Sequence, residues 1–264
     1  YLSMEAVTTT KIASTWGKVA GIVNKNYSHG VNRIILHGTP YAKSNDGDLT
    51  TWPGWHWGQF GGVGTEMFTA WNQRQIFWED VDIFSDYISR TQAVLQTGTA
   101  KVDLAVLNST SKSFSMQSGN SMQELLDQGY SYNVLSEALL NGNQVNVSNG
   151  VLCEEGPAYK AIILNDADIL SVDTLKKLNN YAEKGLPIIL YGTKPSKVYG
   201  SENSTNSDAL LAEEVEKLLA KDNTVAVSDK AELAKVLEEL GVSSAAQFEE
   251  ANLEASHRVD KTGA

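Results

Sequence analysis

Apolar positions recur at helical spacing over residues 11–28, through Ile12, Trp16, Val19, Ile22 and Val23, and predict an amphipathic helix. His29-Gly30 closes it, glycine being suited to a helix C-terminus. Residues 1–4 read as the end of a strand. Arg33-Ile34-Ile35-Leu36-His37 reads as a short apolar strand of the buried parallel kind. From Gly38 to Asn72 no periodicity holds, and so long an irregular loop in a compact domain is usually functional. Helical spacing resumes over residues 75–96, with Phe77, Val81, Phe84, Ile88, Thr91 and Leu95 on one face.

Beyond residue 101 strands and helices alternate. Strands are expected at 102–107, 159–164, 187–191 and 224–227, with a short hairpin at 144–147 and 151–152. Helices are expected at 133–140, at 172–184 with Ser171 as N-cap and Gly185 past the end, from Ser207 to 221, and from Ser228 to Gly241. Such alternation predicts a doubly wound parallel sheet. Residues 109–129, rich in Ser, Gly and Gln, are expected to be a loop, and 242–264 the start of a further domain. The divisions expected are therefore 1–108, 109–241 and 242–264.

Composition sharpens this division. All six tryptophans fall between Trp16 and Trp78, and three of the four histidines precede residue 57. A hydrophobic fraction of 42% in 264 residues supports a packed core and excludes wholesale disorder. The net charge of −11, without clustered Lys and Arg, argues against a nucleic-acid partner. No apolar run approaches the roughly 18 residues of a membrane span. The single cysteine, Cys153, excludes an internal disulfide framework and a cysteine-based zinc site. Residues 151–155 offer no glycine-flanked elbow and the region no histidine before His257, which sets cysteine catalysis aside. No glycine-rich nucleotide motif occurs, so no organic cofactor is expected. Opening on Tyr1-Leu2-Ser3 rather than Met, the chain is expected to continue upstream.

The candidate chemistry lies in the first third. Glu5 follows one strand and His37 ends the next, the position at which a (β/α) barrel carries its catalytic residues. The stretch Trp52-Pro53-Gly54-Trp55-His56-Trp57-Gly58 combines aromatic faces with hydrogen-bonding rims, as the apolar face and hydroxyl rim of a sugar require. Its plainer reading is a packed loop whose tryptophans are core. Tyr41 and Arg74 flank this stretch, and Arg74 suits a hydroxyl or a carboxylate. Glycoside hydrolysis needs two carboxyl groups. Glu5 is one candidate, Asp46 and Glu66 are weaker ones, and the partner acid is expected upstream of Tyr1.

The series Ser3-Met4-Glu5-Ala6, Gly30-Val31-Asn32-Arg33, His37-Gly38-Thr39-Pro40-Tyr41, Trp52-Pro53-Gly54 and Gln73-Arg74-Gln75-Ile76-Phe77-Trp78 resembles glycoside hydrolase family 106, the α-L-rhamnosidases. Residues 94–98, 102–105 and 156–161 are similar to that family as well. The resemblance implies an α/β fold made of the last part of a (β/α)8 barrel followed by a doubly wound, amidotransferase-like domain. It implies inverting, calcium-assisted removal of terminal α-L-rhamnose from plant-type oligosaccharides or polysaccharides, in a secreted, periplasmic or cell-surface protein. Glu5 then serves as base or as calcium ligand, and His37, Tyr41, Trp52, Trp55 and His56 line the sugar pocket, with Arg74 beside it. The alternative is a non-catalytic carbohydrate-binding fragment of a degenerate glycosidase. Oligomeric state is left open.

Overall fold

The computed structural model describes residues 3–6, 15–36, 71, 73, 76–108, 122–200, 204–248, 253–260 and 262–263, with the backbone alone for 4–6 and 204–205. The chain forms two compact units that divide between Gly98 and Thr99. That is ten residues before the division expected at 108, because the strand at 104–108 belongs to the second unit's sheet.

In the first unit, strand β1 (Ser3–Ala6) leads through helix α1 (Trp16–Ser28) to strand β2 (Arg33–Leu36). The two strands pair in parallel, with Ser3 opposite Arg33 and Glu5 opposite Ile35. Thr15 caps α1 by accepting the Lys18 N–H, and the helix is followed by Gly30 at φ +90°. The helix starts at residue 16, where a cap is available, and residues 11–14 of the expected helix lie outside the described residues. A 3-10 turn over Ile76–Asp80 feeds helix α2 (Val81–Leu95).

Val19, Val23, Tyr27, Trp71 and Phe84 form this unit's core, and Ile34 and Leu36 pack against it. Helix α2 is also tied to β2 by a polar contact, the Ile34 N–H donating to Gln92 Oε1 at 2.7 Å, and its C-cap Gln96 donates through Nε2 to Asn32 O, just before β2, at 2.7 Å. The other two residues of β2 behave differently. Arg33 is exposed and Ile35 is 49% exposed, so the strand is covered on its helix side only. The fully buried strand expected here is thus half open.

The second unit begins with strand β3 (Thr99–Lys101) and strand β4 (Leu104–Asn108). Helix α3 (Gln123–Asp127) follows, lying within the stretch expected to be loop. Strand β5 (Tyr132–Leu135) and the one-turn helix α4 (Glu137–Leu140) replace the single helix expected over 133–140. Ser136 explains the break: its extended backbone and its Oγ, which accepts the Leu139 N–H, start a helix there and end the strand before it. A hairpin of β6 (Val147–Ser148) and β7 (Val151–Leu152) leads to strand β8 (Ala161–Asn165).

Helix α5 (Val172–Glu183) is capped by Ser171 as expected, and buries Leu175, Leu178 and Ala182 along one face. Strand β9 (Ile188–Tyr191), helix α6 (Ser204–Leu219) and strand β10 (Thr224–Val227) continue the alternation. Ser207 lies inside α6 and does not cap it. Asp229, and not Ser228, caps the 3-10 turn Lys230–Glu232 that opens helix α7 (Leu233–Glu239). Strand β11 (His257–Val259) closes the unit by pairing antiparallel with β3.

The five parallel strands stand in the order β10-β9-β8-β4-β5. Numbered along the chain this is 5-4-3-1-2, a doubly wound order that reverses between β4 and β8. All five residues of β8 are buried, as two-sided cover of a parallel sheet requires. One face carries α4, α5, α6 and the hairpin through Leu140, Leu152, Leu175, Leu178, Leu211 and Leu218. The other carries α3 and α7 through Met122, Leu125, Leu233 and Leu237. Each such aliphatic side chain, fully buried, contributes about 2 kcal/mol of transfer free energy. Val242 joins the second face, and Tyr130 donates its hydroxyl to Val242 O at 2.8 Å. The stretch from 242 expected to open another domain thus starts inside this one. No helix among the described residues is long and apolar enough to cross a membrane.

Candidate functional site

The first unit brings the carboxyl ends of two parallel strands together. Helix α1 carries the chain back over the strands, so β1 and β2 run the same way and finish at Ala6 and Leu36 in register. Glu5 is the residue before the end of β1, its backbone opposite Ile35. His37 is the next residue after β2, and it lies outside the described residues. So do Tyr41, Trp52, Trp55, His56 and Arg74, together with Asp46 and Glu66.

Three of the tryptophans that single out this third of the chain are structural. Trp16 stacks on Phe84 with centroids 4.5 Å apart and meets Phe77 edge-on at 5.1 Å. Its Nε1–H donates to Phe77 O at 2.7 Å. Trp71 is 4% exposed and lies 5.4 Å from Trp16, while Trp78 packs against the same cluster. Contacts of this kind add about 1 kcal/mol each beyond area burial. The aromatic excess is therefore in part a core that fixes α1, the Ile76–Asp80 turn and α2 against the strands. Burial pushes the Tyr27 hydroxyl in this core up to about 12, with Tyr87 adding to it.

The second unit holds two polar constellations that sequence reading did not find. At the amino edge of the sheet Asp103, 2% exposed, accepts from Lys160 Nζ at 2.7 Å, from Ser131 N–H and hydroxyl at 3.0 Å each, and from Ala245 N–H at 3.4 Å. At the carboxyl edge Glu137 accepts from Ser171, Thr174 and Tyr199. Burial alone would raise the Glu137 carboxyl, yet the hydrogen bonds from Thr174, Tyr199 and Ser171 outweigh it and hold the group below its ordinary value. Asn165, also buried, donates to Asn108 Oδ1 at 2.8 Å across the reversal point. The partners lie 28 to 142 residues apart in these networks and leave no local sequence pattern.

Cys153 sits at φ +52° in the turn between β7 and β8, not at a strand-to-helix elbow. Burial pushes the neighbouring Tyr159 hydroxyl up to about 12, with Cys153 adding to the rise, and that hydroxyl donates to Asn133 Oδ1 at 3.1 Å. Among the described residues no three His, Cys, Asp or Glu side chains are grouped to hold a metal ion.

Comparison with known proteins supplies the family. A family model described as alpha-L-rhamnosidase, glycoside hydrolase 106, matches residues 1–263. The chain is 29% identical over 142 residues to the "Putative beta-glucuronidase" of Formosa agariphila, a match covering 53% of this chain and 12% of that protein. It superposes on the structure of a rhamnosidase from Novosphingobium sp. PP1Y with a TM-score of 0.66 and 16% identity, over 98% of this chain and 24% of that one. This last likeness shows a shared α/β fold. The chain thus spans about an eighth to a quarter of the length of these relatives. A match that runs through both units makes the chain a member of the glycoside hydrolase 106 family of alpha-L-rhamnosidases.

Proposed function

We propose that this chain is part of a glycosidase that removes terminal α-L-rhamnose from plant-type glycans, with inversion, through carboxylate acid–base chemistry assisted by calcium. The family match over residues 1–263 carries this reading. The first unit's topology supports it: two parallel strands end together, Glu5 stands one residue before one end and His37 one residue after the other. The half-open β2, with Ile35 49% exposed, supports reading this unit as the last part of a (β/α)8 barrel, since parallel sheets are stable when both faces are covered. The second unit's strand order supports the amidotransferase-like reading of that domain.

In this mechanism Glu5 is the carboxylate that either activates the water or binds calcium. His37, Tyr41, Trp52, Trp55, His56 and Arg74 hold the sugar, by stacking and by bonds to its hydroxyls. A second carboxylate protonates the leaving oxygen, and inversion requires the pair to stand roughly 6.5–9.5 Å apart. The protein acts outside the cytoplasm, where such glycans are met.

Glu5→Gln in the full-length enzyme, assayed on an aryl rhamnoside, is the test. An amide neither ionises nor carries a proton, so turnover is expected to fall by at least about a hundredfold. If the loss tracks calcium affinity, Glu5 is the metal ligand; if it persists at saturating calcium, Glu5 is the base. Retained turnover removes Glu5 from the mechanism. Rhamnose binding by the unsubstituted full-length protein without turnover would establish the carbohydrate-binding alternative.

A further inference from the structure

Doubly wound sheets bind anionic ligands outside the carboxyl ends of the strands at the order reversal, and often on a helix N-terminus there. In the second unit the helix leaving β8, beside that reversal, is α5. A carboxylate already sits on its N-terminal end, and it belongs to the chain. Glu137 Oε2 accepts the Ser171 backbone N–H at 2.9 Å, the Ser171 hydroxyl at 2.8 Å and the Thr174 hydroxyl at 2.6 Å. Glu137 Oε1 accepts the Tyr199 hydroxyl at 2.7 Å.

These donors come from the cap and first turn of α5 and, independently, from the loop after β9. Thr174 is wholly buried and receives Asn141 Nδ2 on its oxygen at 2.9 Å, which leaves its proton for Glu137. None of the four groups bonding the carboxylate is cationic. The nearby Lys177 ammonium is engaged with Asn141 O at 2.6 Å. Neutral donors converging from two elements, together with a helix N-terminus, are how proteins hold a bound anion, whereas an ion pair would use a charged partner.

We propose that the second unit contains a preorganised anion site which Glu137 occupies as a built-in ligand. Its carboxylate takes the place that the carboxylate or phosphate of a solute would take, and so closes the site. The unit then works as a scaffold that binds no anionic ligand at this edge. The proposal rests on the geometry of the second unit and stands whether or not the chain belongs to a working rhamnosidase.

The experiment uses the whole chain with Glu137→Ala and Glu137→Gln, melted in sodium chloride and in sodium formate at matched ionic strength. Glu137→Ala is expected to melt roughly 4–8 °C below the unsubstituted chain in chloride. Formate is expected to restore at least half of that loss. The Gln variant is also expected to be destabilised but to gain nothing from formate, because its amide fills the space, and the unsubstituted chain gains nothing either. If the Ala variant does not fold in chloride, circular dichroism is read in formate, where recovery of structure is expected. An Ala variant as stable as the unsubstituted chain, equal formate shifts in all three proteins, or no recovery of an unfolded Ala variant would each overturn the proposal.

Discussion

The Lys160 ammonium stands 2.7 Å from Asp103 Oδ1, and while the lysine remains partly open to water the aspartate does not. The same carboxylate takes the backbone N–H and hydroxyl of Ser131, and Lys160 also donates to Ser243 O at 2.9 Å. One buried group therefore joins the starts of β4, β5 and β8 to the segment after α7. Asp103→Ala leaves those donors facing an empty site and is expected to cost about 3 kcal/mol. In a unit of this size that lowers the melting temperature by about 10 °C. The double variant Asp103→Leu, Lys160→Met is expected to lose less than the single one, since no unpaired charge remains. Differential scanning calorimetry of the three proteins checks both statements.

Acid should weaken the second unit through Glu137. Its folded-state carboxyl titrates below the ordinary value, so its contribution is complete above the usual carboxylate range of about pH 4–5 and is lost as pH falls through the lowered value. The stability gap between the unsubstituted chain and Glu137→Gln should be widest near neutrality and narrow in acid. Urea midpoints measured over a pH series show this, and a gap that stays constant with pH contradicts it.

Gly129 packs its α-carbon against backbone. It holds φ +82°, and a Cβ there would stand 1.9 Å from Ala246 O. Gly129→Ala meets both a left-handed backbone and a clash that no rotamer relieves, together costing roughly 2–3 kcal/mol. The strain should be released by lifting the segment around Ala246, which limited proteolysis would detect as faster cleavage between residues 243 and 248.

Two tryptophans of the first unit should respond in reverse order of their burial. Trp71 is nearly fully buried, but among the described residues its Nε1–H has no partner, whereas the half-buried Trp16 donates to Phe77 O. Replacement by Phe removes an unsatisfied donor at Trp71 and a made hydrogen bond at Trp16. Trp16→Phe is therefore expected to cost about 1 kcal/mol more than Trp71→Phe, as read by chemical denaturation.

The parts of the fold legible in the sequence are those set by local rules. Ser171 with the buried Leu175, Leu178 and Ala182 marks α5, and the run Thr224–Val227 marks a strand. Where two elements share one stretch, spacing misled: Val134, Leu135, Leu139 and Leu140 fit one helix until the Ser136 cap divides them. Gln123–Asp127 was hidden because a single helical turn has no period to recognise, and Leu125 and Leu126 are buried by distant partners. At the candidate site, Glu5 and His37 could be singled out as candidates because a strand's carboxyl end is a local feature. Glu137 and Asp103 were not, because nothing within a few residues of either reveals the hydroxyls and amides that tertiary structure gathers around them.

The pairing of β3 with β11 has a mechanical consequence. Thr99 lies opposite Val259 and Lys101 opposite His257, so the first strand of the second unit and its last meet side by side with their outer ends together. Tension applied to the chain on either side of the unit loads that short ladder one bond pair at a time, like a zipper opened from its tab, and not in shear. The pair should part at low force and leave the parallel sheet intact. The next resistance falls on the residues just inside it, where Asp103 grips β4 to its neighbours. Under load the unit would thus yield in two steps, a soft release of slack followed by a stiff core.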